Sequence, residues 1–275
     1  MKRLIIILFL SVAWQLNAQT FEGTIKWSMK MNITDPAMKA KMAEGQQKMQ
    51  DPANQAKMKE LQEKMKDPQF KAMMENNPQM KAMIEKMAQG ASSGDMMGSM
   101  MPKGMTVRIK GANSLTTTEG GMMPGDILHT PDKSVLIDRE NKTYSNMPSG
   151  SSSDQTERTK PTITKTSETA TILGHICTKY IVTLNEHGKT ITSNIWTTTD
   201  FKDIDMKAFA RQRMGKGQSL FYEGVEGMPL KVESIVPQGN MIMEVVDIKR
   251  ESLSSSLFTI PSDYKETQGM FGGVR

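Results

Sequence analysis

The chain has 275 residues, 27 of them methionine, with one cysteine, 5% aromatic residues and a formal charge of +5. One cysteine excludes an intramolecular disulfide framework. A mild, interspersed positive charge with few aromatics lacks the basic stripe and stacking rings of a nucleic-acid binder.

The first twenty residues, MKRLIIILFLSVAWQLNAQT, read as an export signal. Lys2 and Arg3 form a positive start, Leu4 to Trp14 an apolar stretch too short to span a bilayer, and Ala18 a small residue at a cleavage position. The expected mature chain begins at Gln19. It carries no N-terminal cysteine for acylation and no transmembrane segment, and it is periplasmic or secreted. Residues 20–33, TFEGTIKWSMKMNI, then alternate. Phe21, Gly23, Ile25, Trp27, Met29 and Met31 share one parity, which predicts a half-buried strand.

The period changes at residue 35. Asp35-Pro36, Asp51-Pro52, Asp67-Pro68 and Asn77-Pro78 each pair a capping residue with proline at the first helical position. DPAMKAKM, DPANQAKM, DPQFKAMM and NPQMKAMI are copies of one unit, so residues 35–89 are an internal helical repeat. Met38/Met42, Phe70/Met73/Met74 and Met80/Met83/Ile84/Met87 fall at helical spacing and predict a methionine stripe on amphipathic helices. Residues 90–104, GASSGDMMGSMMPKG, read as a flexible linker.

Strand patterns resume at 105–111 and 114–119, followed by 126–130 and a hairpin, SVLID/KTYSNM, turning at Arg139-Glu140-Asn141. A polar linker covers 149–160. ETATILGHI/CTKYIVTLN and KTITSNIWTTTD read as further strands around a turn at Glu186-His187-Gly188. DMKAFARQRMG (205–215) reads as a short helix, PLKVESIVP and NMIMEVVDIKRE as a hairpin through Gln238-Gly239, and residues 269–275 as a flexible tail. The expected class is α+β: an antiparallel β domain of residues 19–34 and 105–268, with the helical repeat inserted between its first and second strands.

The pieces FEGTIKWSMKM, SVLIDRENKTY, LGHICTKYIV with NIWTTTD, EGMPLKVES and SLFTIPSDYK resemble domain-of-unknown-function family 4412. That family resembles the lipoprotein-carrier superfamily, which implies a curved antiparallel half-barrel with helices over an apolar concave face, in an exported protein. The resemblance carries no catalytic residues. Separately, MMENNPQMKAMIEKM resembles the DP/NP repeats of co-chaperones and ubiquilins, which cradle hydrophobic helices.

Four site readings follow. Phe70, Met73, Met74, Met80, Met83, Ile84 and Met87 form a soft apolar wall for a lipid, an acyl chain or a hydrophobic protein segment, because methionine adapts to irregular apolar shapes. Met96, Met97, Met100, Met101 and Met105 cluster as thioethers, the ligand type that favours Cu(I); Met122-Met123 add a doublet. His175 and Cys177 share a strand face, without the further ligands of a metal site. His129, His175 and His187 are scattered, Asp203/Asp205 has no partner base, and no GxSxG, P-loop or dinucleotide fingerprint occurs. The expectation is a binding protein without enzymatic activity or cofactor, and its alternative a Cu(I)-sequestering protein.

Overall fold

The computed structural model describes residues 20–64, 67–69, 102–121, 125–147, 160–186, 189–206, 213–214, 218–219, 222, 224–236 and 239–267. The expected signal sequence, all but residue 160 of the expected 149–160 linker, the expected tail of residues 269–275 and His187 fall outside these.

Alternation in the opening residues produces β1 (Glu22–Ile33), in which Ile25 and Trp27 are buried, as is Phe21 just before it. Two helices follow, α1 (Pro36–Gln50) and α2 (Pro52–Lys64). Their starts lie where Asx-Pro predicts. The Asp35 carboxylate accepts from Ala37 N at 2.9 Å, Asp51 from Ala53 N at 2.8 Å, and Asp67 repeats the cap on Gln69 N at 2.7 Å. Asp51 is extended, as a residue before proline prefers, and so separates the two helices. Exposed i,i+4 pairs Glu44–Lys48 and Glu60–Lys64 add local support. Among the described side chains of α1 and α2, none joins either core cluster.

The remaining strands are β2 (Pro102–Lys110), β3 (Asn113–Gly120), β4 (Asp126–His129), β5 (Ser134–Asp138), β6 (Thr143–Asn146), β7 (Thr162–Ile172), β8 (His175–Glu186) and β9 (Lys189–Thr198). A two-stranded ribbon of β10 (Arg213–Met214) and β11 (Gln218–Ser219) precedes β12 (Met228–Val236), β13 (Gly239–Arg250) and β14 (Lys265–Glu266). One open, curved twelve-stranded sheet has the order β14-β6-β5-β4-β3-β2-β1-β13-β12-β9-β8-β7. It is antiparallel except where β14 joins β6.

Three expectations need correction. β2 opens at Pro102, so residues 102–104 pair in the sheet and are not linker; Gly104 lies so close to β1 that a Cβ would meet the Trp27 carbonyl at 2.7 Å. Arg213 and Met214 are extended, so no helix runs through to residue 215. The β7–β8 turn is Leu173-Gly174, earlier than the strand break read at Ile176/Cys177. Its φ values of +50° and +80° are those of a two-residue hairpin turn, and the leucine there conceals a signal that Asn-Gly would have announced.

β1 and β13 zip the two ends of the domain together at the sheet centre, from Gly23 opposite Arg250 to Ile33 opposite Gly239. Register assigns the two cores to opposite faces. Ile25, Val107 and their neighbours on β8, β9, β12 and β13 form the inner face, continued by the buried Ile127 and Leu136. Leu115, Leu128, Val135 and Ile137 face the other way. There the closing segment packs over them through Leu253 and Phe258, the latter in a 3₁₀ turn at Ser255–Phe258.

Candidate functional site

The inner face is lined by methionine. In β1 and β13 the opposed pairs Met29/Met243 and Met31/Met241 lie side by side, because residues two apart share a face. Met105 opposite Trp27, and Met228 at the start of β12, extend the lining. Met243 and Met105 are buried, whereas Met29, Met31 and Met241 are half-buried. The aliphatic complement is Val245, Val232 and Ile195. No charged side chain occupies the row; its polar pair, Ser193 and Ser234, is mutually hydrogen-bonded at 3.0 Å. On the outer face, Trp196 is flanked by Lys179 at 5.6 Å and Lys231 at 5.1 Å.

The parts of the β9–β12 connection described on either side, residues 199–206, 222 and 224–227, lie against this face as a strap. Phe201, Ile204, Met206, Tyr222 and Val225 pack onto the inner core. Three carboxylates latch it to strand residues. Asp200 meets His175 Nδ1 at 2.6 Å, and the His175 ring packs on Phe201 at 4.8 Å. Asp203 accepts from Arg250 at 3.0 Å, and the Asp203 carbonyl accepts from Phe21 N at 3.0 Å. Glu226 pairs with Lys165 at 3.0 Å and accepts from the Tyr180 hydroxyl at 3.3 Å. These partners hold all three carboxyls below their ordinary range: the His175 hydrogen bond for Asp200, the Arg250 hydrogen bond for Asp203, the Lys165 hydrogen bond for Glu226.

Trp27 lies between Val245 and Met105 in the sheet and is 4% exposed, and its indole Nε1 meets no acceptor among the described residues. A buried unsatisfied donor costs about 1–3 kcal/mol. The register between β1 and β13 shifts at this step: Lys26 opposes Asp247 and Trp27 opposes Val245, leaving Val246 as an extra, exposed residue. Such a bulge re-aims the side chains beside it.

The residues singled out from sequence are distributed differently. Phe70, Met73, Met74, Met80, Met83, Ile84, Met87, Met96, Met97, Met100, Met101, Met122 and Met123 lie outside the described residues. Met105 departs from its expected place in a flexible cluster: it is a core side chain of β2, 3% exposed. Cys177 is buried, donates weakly to the His175 carbonyl, and burial pushes its thiol up to about 11. His175 faces Asp200, so the two form no common site. Asp203 has a cation partner, Arg250, that sequence spacing did not show. Among the described residues no three His, Cys, Asp or Glu side chains converge for a metal. The sheet methionines of β12 and β13 were missed, although the alternation of Met241, Met243 and Val245 in NMIMEVV carried the signal.

A family model described as "Domain of unknown function (DUF4412)" matches residues 100–264. No curated protein matches the chain. Among solved structures, LprF from Mycobacterium bovis is similar at 13% identity, covering 60% of this chain and 84% of that one, with a TM-score of 0.27.

Proposed function

The chain belongs to the DUF4412 family, and on that premise we propose that it is an exported, non-enzymatic binding protein that shelters an apolar ligand on the inner face of its sheet. The observation that carries this reading is the methionine lining beneath a latched strap. Methionine's unbranched thioether adapts to ligands of irregular outline. Uncharged rows of this kind favour lipid or acyl chains over polar solutes. The helical repeat, including Met73, Met74, Met80, Met83 and Met87, would add a second wall or a site for a hydrophobic protein segment.

The test is binding of a fluorescent fatty-acyl probe. Replacing the half-buried pair, Met29→Gln with Met241→Gln, leaves the fully buried core intact. It is expected to weaken the probe at least tenfold while cooperative unfolding persists. Unchanged affinity would remove the inner face as the site. If the quintuple Gln variant of the helical stripe alone lost binding, the ligand would belong to the repeat.

One observation favours a second reading, Cu(I) held by thioethers: Met29/Met243 and Met31/Met241 bring four sulfur-bearing side chains together across two strands. Competition with a chromogenic Cu(I) chelator separates the two readings, since an acyl carrier leaves the chelator's copper untouched.

A further inference from the structure

Trp27 restricts what the inner face can hold. Its indole N–H is buried and without an acceptor among the described residues, and it lies at the one step where the β1–β13 register slips. Water is a poor partner there. An ordered internal water needs two to four polar contacts, whereas the residues opposite Trp27 are Met105 and Val245, with Ile25 and Met29 beside it on the same face. A hydrocarbon would leave the donor unsatisfied. A charged group would find no counter-ion in the row. From Trp27 the methionine row continues to the Ile33 end of β1, about 20 Å at the rise of a strand, which suits an extended chain better than a compact ring system.

We infer that the ligand is a long-chain acyl ester or amide, and that Trp27 Nε1 donates to its carbonyl oxygen while the chain lies along Met29, Met31, Met241 and Met243. The inference rests on the carrier reading above and names the ligand class for the same site. A neutral carbonyl supplies the missing acceptor without bringing in a charge. Trp27 is 4% exposed, so access to Nε1 requires the side chains packed around it to move aside. A site built to hydrogen-bond one group discriminates strongly against an analogue lacking it.

The test uses two probes of equal chain length, an acyl methyl ester and the alkyl methyl ether that differs from it only in the carbonyl oxygen. Wild-type protein is expected to bind the ester about tenfold more tightly than the ether, about 1.4 kcal/mol. Trp27→Phe is expected to bind both with the ether's affinity. In ¹⁵N-labelled wild-type protein, the ester and not the ether should shift the Trp27 indole N–H signal, a readout that does not depend on how the variant folds. Equal affinity of wild type for both probes with an unmoved indole signal overturns the inference and leaves the carrier reading standing. A preference that persists in Trp27→Phe also overturns it, because another donor would then be reading the carbonyl. Failure of both probes to bind wild-type protein overturns the inference and the carrier reading together.

Discussion

His129, at the end of β4, shares a 2.6 Å hydrogen bond with Ser134 Oγ across the β4–β5 turn. Burial pushes its imidazole down to about 4. In the unfolded chain the group returns to its ordinary value of 6.5, so as pH falls the unfolded state takes up the proton first. Stability that is fully present above 6.5 is therefore lost progressively down to about 4 and is constant below it. The full effect is about 3 kcal/mol. His129→Gln, which keeps a hydrogen-bonding group but cannot titrate, is expected to flatten the urea midpoint against pH in that window; an equally steep profile in the variant would assign the dependence to other groups. The spacing of residues 175 and 177 was legible as a shared face, but only the fold shows that Asp200 claims the histidine and burial silences the thiol.

At the scale of elements, the strap joins two regular strands through residues with little periodicity, and it is held by side chains from β7, β8 and β13. Its three carboxylates have depressed pKa values, so their contribution is intact above the ordinary carboxylate range and is lost as pH falls below about 4. Amide hydrogen exchange in residues 199–206 and 222–227 is expected to accelerate on acidification through that range, ahead of exchange in β1 and β13. Asp203→Asn combined with Glu226→Gln should reproduce the fast exchange at pH 7 and remove most of its acid dependence. If the double variant exchanged like wild type at pH 7, apolar packing of Phe201, Ile204 and Val225 would be what holds the strap. The helix starts were legible because an Asx cap and a following proline act within one turn. The latches were not: Arg250 and Asp203 are 47 positions apart and Lys165 and Glu226 are 61 apart.

Taken whole, the molecule is a sheet whose first two strands are hydrogen-bonded neighbours with a long insertion in place of their turn: Ser28 opposes Gly104. Removing residues 35–101 and closing β1 to β2 with a short Gly/Ser loop shortens one loop without opening the sheet. Because closure entropy grows logarithmically with length, the change is expected to be neutral or to stabilise the β domain by about 1–2 kcal/mol. Calorimetry of the deletion variant checks this; loss of a cooperative transition would mean that the helical repeat completes the core. From sequence alone, most of the strands and the starts of α1 and α2 with their Asx caps were readable, since alternation and Asx-Pro are imposed on each segment by its own backbone geometry. The pairing of β1 with β13, the separation of the cores onto opposite faces, the bulge at Trp27 and the strap over the methionine row were decided by the tertiary structure. Each depends on register between residues distant in the chain, and a one-residue slip in register moves a whole row of side chains to the other face.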